Sequence, residues 1–465
     1  MTLLIPGIEH TAVSAVRGPL LVVQDVRGVG WDEWAVVEVE GGPARHGLVL
    51  EVDRELAVVQ VLEGTSGLGP GGVRVRFEGH PLWLGVGPQW LGRVVNGRGE
   101  PMDGGPPVDG PRTVPVNGWP LNPVHRRPPS EAVVTGVSAV DALTTLVRGQ
   151  KLPVFSVAGL PHLELAVQVA AQAGSTGEPF CVVFAGLGLT HPQIAFVRDA
   201  LEDRSAGEEL VLLLNAADDP VIERILTPRL ALSIAEDLAF EQGRHVLVVM
   251  SDLTSYCEAV REVSAARQEI PARRAYPGYL YSDLASLYER CGRIIGRPGS
   301  LTLMPVLTMP AGDITHPVPD LTGYITEGQI VLDPQVNARG VYPPVDVLSS
   351  LSRLMRMGAG PGRTREDHLD VAAQALACAA RARQAAELAE LVGADALGET
   401  DRRYLRYGTA LESQVLHQGR QEYRRLEDTL DLLWQALSVL PRRELTMLAT
   451  TLIDRYLPAA GGGPG

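Results

Sequence analysis

Apolar and polar positions alternate with a period of two near the N-terminus. They merge into solid apolar runs in the middle of the chain and settle into helical spacing toward the C-terminus. In the first region, residues 20–23, 34–39, 47–52 and 57–61 read as short strands, with glycines between them at the spacing of a small closed barrel. Residues 76–125 are rich in Gly and Pro, and 92–101 and 103–107 read as turns, so a linker into a second domain is expected. Farther on, the runs at 153–157, 180–185, 210–214 and 245–250 are apolar throughout and bounded by turn residues, as buried parallel strands are. Helical segments such as 222–240 separate them, which predicts an α/β core on a parallel sheet. The last region is helical, with residues 366–391 dense in Ala, Leu, Glu and Arg and 423–438 apolar at helical spacing. The expected division is a β-barrel over 1–75, an α/β domain over 76–355, a helical domain over 356–458 and a disordered Gly- and Pro-rich tail over 459–465.

Composition narrows the class. A formal net charge of −14 excludes the basic face a nucleic-acid binder needs. Cys181, Cys257, Cys291 and Cys378 are widely spaced, which predicts reduced, buried thiols of a cytoplasmic protein in place of a disulfide or zinc framework. The first seven residues lack a basic region and a long apolar run, so no signal peptide is expected, and no stretch approaches the ~20 apolar residues of a membrane span. Work at a membrane would proceed through a partner. Lys151 is the only lysine; the other basic residues are arginines, as a GC-rich genome would give.

The connection after residues 151–155 sits where a phosphate-binding loop would, between a buried strand and an alanine-rich helix expected over 165–173. It reads Val157, Ala158, Gly159, Leu160, Pro161, His162, Leu163, Glu164. On the frame G-x-x-x-x-G-K-S/T, Val157 and His162 replace the two glycines, Leu163 the lysine and Glu164 the Mg²⁺-binding hydroxyl. Val157 places a branched side chain where the backbone must approach closely, Leu163 removes the phosphate-neutralising cation, and Glu164 adds a negative charge beside it. Such a P-loop-type (RecA-like) fold is not itself expected to be the catalyst.

Several long strings then occur in order. They include Leu146-Val147-Arg148-Gly149-Gln150-Lys151-Leu152-Pro153, Ala217-Asp218-Asp219-Pro220-Val221, Tyr276-Pro277-Gly278-Tyr279-Leu280, the long string Asp313-Ile314-Thr315-His316-Pro317-Val318-Pro319-Asp320-Leu321-Thr322-Gly323-Tyr324-Ile325-Thr326-Glu327-Gly328-Gln329, and Leu351-Ser352-Arg353-Leu354-Met355. With these the chain resembles, nearly end to end, the non-catalytic B subunit of archaeal/vacuolar-type rotary ATPases. The resemblance implies a β-barrel, a nucleotide-binding-type domain and a helical domain. It also implies a hexameric ring in which three B subunits alternate with three catalytic A subunits around a rotor shaft, braced by a peripheral stalk, in the cytoplasmic head of a membrane motor. Catalytic subunits of such ATPases carry a Gly-Glu-Arg after the next strand, where this chain has Leu189-Thr190, so the position that polarises water is empty. The strand over 245–250 should end in a Mg²⁺-linked aspartate; Ser251 stands there, and Asp252, one residue later, reads either as a displaced remnant or as a helix cap.

Arg353 lies in the motif that, by this resemblance, supplies an arginine finger across the subunit interface. Read without the family it is one arginine among forty, open to a solvated or salt-bridged role. Tyr324 is expected either near an interfacial nucleotide or in packing. His316 lacks a second ligand at metal spacing, Asp218-Asp219 reads as a turn before a helix, and 363–367 as a solvated loop and helix start. ATP or ADP with Mg²⁺ is expected at the interface with the catalytic subunit, and no cofactor on this chain alone. Two other readings stay open: a catalytic secretion- or flagellar-type motor ATPase with an unorthodox P-loop, and a purely structural ring spacer.

Overall fold

The computed structural model describes residues 8–10, 13–174 and 177–458; the tail at 459–465 and the first seven residues lie outside these. The N-terminal strands are β1 (Ile8–His10), β2 (Val13–Arg17), β3 (Leu20–Gln24), β4 (Glu33–Val39), β5 (Arg45–Asp53), β6 (Leu56–Val61) and β7 (Val73–Pro81). They pair antiparallel in the order β1-β7-β4-β5-β6-β3-β2, and β2 returns to contact β7, which makes the barrel. Every second residue points inward, so Leu21, Val23, Ala35, Val37, Val49, Val59 and Val75 form a core of the barrel's own. β7 carries the chain past residue 75, and the barrel ends at Pro81.

The expected linker is docked. β8 (Trp83–Val86) pairs with β10 (Arg112–Pro115), and between them β9 (Val94–Asn96) leaves the turn to lie parallel to a strand of the next sheet. Two β-branched valines flanked by Gly92 and Gly97 are enough for an edge strand. β11 (Arg126–Arg127) follows.

The central sheet is built from β12 (Val154–Ser156), β13 (Phe180–Leu189), β14 (Leu210–Ala216), β15 (His245–Ser251), β16 (Gly292–Ile294), β17 (Ser300–Thr308), β18 (Gly328–Val331) and β19 (Leu351–Ser352). Its order is β19-β18-β12-β17-β15-β13-β14-β9, parallel except for β19, with β16 antiparallel to the start of β17 and β11 antiparallel to β16. Helices α1 (His162–Gln172), α2 (His191–Ala206), α3 (Val221–Glu236), α4 (Leu253–Ala266), α5 (Leu280–Tyr288), α6 (Pro317–Ile325), α7 (Pro334–Ala338) and α8 (Met355–Gly358) link and flank these strands. α3 passes into a wider turn at Asp237–Glu241, which breaks the single helix expected over 222–240.

The C-terminal helices are α9 (His368–Val392), α10 (Glu399–Ala410), α11 (Leu426–Leu437) and α12 (Thr450–Tyr456). Leu426, Leu430, Leu433 and Leu437 are buried one turn apart along α11, the helical spacing of a core-facing stripe. The largest hydrophobic core runs unbroken from Val94 through the sheet to Ile453, so the central and C-terminal domains share it. Residues 363–367 are only in part the solvated loop and helix start expected: Arg363 and Glu366 are exposed and α9 begins at His368, but the end of the segment is buried. Asp367 is fully buried, holds Arg365 at 2.7 Å and accepts the indole N–H of Trp434 at 2.6 Å.

Candidate functional site

β12 is fully buried, and its chain leaves the sheet at Val157 into the turn that a phosphate would need open. Here the turn is closed on itself. Leu160 N–H donates to the Val157 carbonyl (3.2 Å), His162 N–H to the Leu160 carbonyl (2.8 Å) and Leu165 N–H to the Pro161 carbonyl (3.1 Å). Gly159 has a φ of 89°, the left-handed conformation a tight turn needs. The helix starts earlier than expected, at His162, so His162, Leu163 and Glu164 form its first turn. Leu163 is driven into the main core, 6% exposed, where a Walker lysine would instead reach outward. Glu164 is half-buried and pairs with Arg420 of the C-terminal domain at 3.3 Å; the guanidinium of Arg420 lies over the ring of Tyr342 (5.2 Å). The Tyr342 hydroxyl is buried without a hydrogen-bond partner, and burial pushes it well above the ordinary tyrosine range.

The other positions at which a catalytic subunit would carry its working groups hold residues of different chemistry. Leu189, buried, ends β13 and folds back over Gly186. Ser251 closes β15 with its hydroxyl buried and unpartnered. Asp252 caps α4: its Oδ1 accepts from the N–H of Thr254 (2.8 Å) and of Thr308 (3.1 Å), which ties the helix to the end of β17. The residues present do not fit a Mg²⁺–nucleotide: the Leu160 and His162 amides are bonded within the turn, a buried leucine stands in place of the cation, and a carboxylate paired with Arg420 stands in place of the Mg²⁺-binding hydroxyl. Among the described residues no cluster of His, Cys, Asp and Glu is arranged to hold a metal ion. His316 caps α6 through Nδ1 and packs edge-on to Tyr276, while Asp219 accepts the Ala216 N–H (2.6 Å) in the turn before α3.

Arg353 stands elsewhere. Its side chain is exposed and donates to the Thr326 carbonyl at 3.3 Å; its backbone N–H donates to the Glu327 carbonyl at 3.0 Å. Glu327 N–H in turn donates to the Lys151 carbonyl, so Arg353 is level with Lys151, six residues ahead of Val157. At ~3.3 Å per extended residue this separates Arg353 from its own chain's loop by about 20 Å, at the opposite end of the parallel strands. Tyr324, on the last turn of α6, is 75% exposed, which removes a packing role within the chain; it stands two residues before Thr326, whose carbonyl Arg353 binds.

The structure thus holds Arg353 apart from Val157 and Leu163, and ties it to the segment that follows Tyr324. Around Arg353 it also gathers residues that the sequence did not single out: Gln150, Glu327, Gly328 and Ser352, together with the one lysine. The signal was on hand, since each stands in or beside a motif string, but the contacts span 27 to 202 positions along the chain.

Comparisons with known proteins agree with this architecture. Family models match residues 13–79 (ATP synthase alpha/beta family, beta-barrel domain), 136–352 (ATP synthase alpha/beta family, nucleotide-binding domain) and 357–457 (C-terminal domain of V and A type ATP synthase). The B subunit of the A-type ATP synthase of Aeropyrum pernix is 51% identical over 457 residues, covering 98% of this chain and 99% of that protein. The solved structure of the ATP synthase subunit NeqB from Nanoarcheaum equitans superposes with a TM-score of 0.72 at 35% identity, over 91% of this chain and 100% of that one. Three models in order along the chain and a relative matched end to end show that it belongs to the B-subunit family of A- and V-type ATP synthases.

Proposed function

We propose that this chain is the non-catalytic, arginine-donating subunit of a rotary ATP synthase. It alternates with catalytic A subunits in a hexameric ring around the rotor shaft, in the cytoplasmic head braced by the peripheral stalk, and meets the membrane only through the assembled motor. ATP with Mg²⁺ is the substrate of the partner's site, and this chain completes that site from across the interface. The observation that carries the reading is the placement of Arg353: exposed, without a carboxylate partner among the described residues, and about 20 Å by strand rise from a loop of its own that cannot hold phosphate. A guanidinium so placed is available to a neighbour. Aimed at the γ-phosphate it stabilises the charge that develops in transfer, and Tyr324 beside it would face the same nucleotide. Among the described residues no helix is long and apolar enough to cross a membrane, in keeping with attachment through other subunits.

The test is steady-state ATP hydrolysis by this chain reconstituted with its catalytic partner. Arg353→Ala should lower turnover roughly a thousandfold while the ring still assembles. Unchanged turnover would reduce the chain to a spacer, and hydrolysis by the purified single chain would revive the catalytic-motor reading.

A further inference from the structure

β19 is only two residues long, yet it delivers Arg353. Ordinary strand pairing cannot fix so short a segment, and the structure supplies other ties. Gln150, fully buried, donates from Nε2 to Ser352 Oγ (2.9 Å) and to the Glu327 carbonyl (3.0 Å). Ser352 Oγ donates onward to the Thr145 carbonyl (2.9 Å), and the Arg353 N–H is held by that same Glu327 carbonyl. Glu327 is thus the hub, and its side chain is gripped from the other side. Lys151 binds the two carboxylate oxygens, one through Nζ (2.9 Å) and one through its backbone N–H (2.8 Å). The same ammonium reaches Glu289 (3.2 Å), which also holds Arg126 (2.6 Å).

Two features mark Lys151 as chosen for this task. In a chain whose other basic residues are all arginines it is the single exception, and it is 3% exposed. An ammonium is a compact point charge that fits between two carboxylates, whereas the planar fork of arginine needs more room and bonds in one plane. Burial opposes its charge, but Glu327 and Glu289 outweigh that and hold the ammonium above the usual lysine range.

We propose that Lys151, Glu327 and Gln150 form a clamp that positions Arg353 for the partner's active site, an inference that rests on the finger reading above. None of the three touches the reacting atoms; they act through the hydroxyl of Ser352 and the backbone of Arg353. A misplacement of about 1 Å in a catalytic group costs on the order of 10²-fold, so release of the clamp should be felt in turnover and not in substrate affinity.

The experiment compares kcat and KM for ATP in the reconstituted ring for wild type, Arg353→Ala, Lys151→Met, Lys151→Met/Glu327→Gln and Lys151→Met/Arg353→Ala. Lys151→Met/Glu327→Gln removes both charges and guards against misfolding from an unpaired, half-buried carboxylate; ring assembly is followed by gel filtration. The clamp predicts a kcat roughly 10- to 100-fold lower in Lys151→Met with KM within about twofold, and no added loss when Arg353 is already alanine. Wild-type kcat in Lys151→Met and in Lys151→Met/Glu327→Gln, a loss confined to KM, or fully additive losses in Lys151→Met/Arg353→Ala would overturn it. If Arg353→Ala turns over normally, the finger reading falls and the clamp with it, whereas a strong Arg353→Ala defect beside a silent Lys151→Met sinks the clamp alone.

Discussion

Leu163 shows how a phosphate-binding position becomes packing. Where a Walker lysine would carry charge to a nucleotide, a leucine is buried in the main apolar core. Its neighbour Glu164 makes only a partly exposed ion pair with Arg420, the kind worth at most about 1 kcal/mol. Burial therefore dominates at this site. Leu163→Ala should lower stability by about 2–5 kcal/mol, read from the urea midpoint, while Glu164→Gln should shift it by less than about 1 kcal/mol. The vacancies at 157, 163, 189 and 251 were legible from the sequence alone because each depends on one side chain's chemistry. The clamp on Arg353 was not, because a hydrogen bond from Gln150 to Ser352 joins positions 202 residues apart and leaves no trace in local pattern. Asp252 lay between: the sequence offered cap or remnant, and the bonds to Thr254 and Thr308 show a carboxylate oxygen at work as a cap.

Among elements, those recovered most fully are the ones whose apolar run is long and cleanly bounded, such as β13 to β15. β17 went unread although all but its last residue is buried, because Pro305 within Ser300–Thr308 argues against a central strand. β18 and β19 are too short for any periodicity to register. Their pairing depends instead on Gly328, whose φ is 135° and whose Cβ, if it had one, would collide with the Leu351 carbonyl oxygen and crowd Ser352 Cα. Only glycine lets β19 come this close. Gly328→Ala should therefore cost about 1–3 kcal/mol, the usual penalty for overpacking. It should also loosen the Arg353 N–H bond to Glu327, so that amide should exchange with solvent faster than the amides of β12; equal protection of the Arg353 amide in wild type and variant would show that β19 is held without this glycine.

At the scale of the whole molecule, the barrel keeps its own core while the central and C-terminal domains share one, and their junction carries a titratable group. His368, at the start of α9, is fully buried and donates from Nε2 to the Ala142 carbonyl of the central domain (3.0 Å). Its Nδ1 then accepts from Thr364 Oγ1 (3.0 Å), whose oxygen already takes the Gly360 N–H (2.8 Å). A second proton on the ring would force that hydroxyl to turn its own proton away and accept from Nδ1 with its remaining lone pair. Burial lowers the pKa below 6.5; Asp367 opposes the shift and Arg365 adds to it. The sign follows directly. Above pH 6.5 neither folded nor unfolded chain protonates this ring, so it contributes no pH dependence. As pH falls through 6.5 the unfolded chain takes a proton that the folded chain refuses, and stability drops by up to about 1.4 kcal/mol per pH unit until the folded pKa is passed. Asp141 at the same junction works the other way. Its carboxyl is pushed up to about 6 by burial, so protonation below that value favours the folded state. The two cannot be separated in wild type alone. His368→Gln keeps a donor for Ala142 and removes the titration, so its unfolding free energy should fall less steeply than wild type between pH 6.5 and 5. Parallel curves for the two proteins would mean that the junction does not hold His368 neutral.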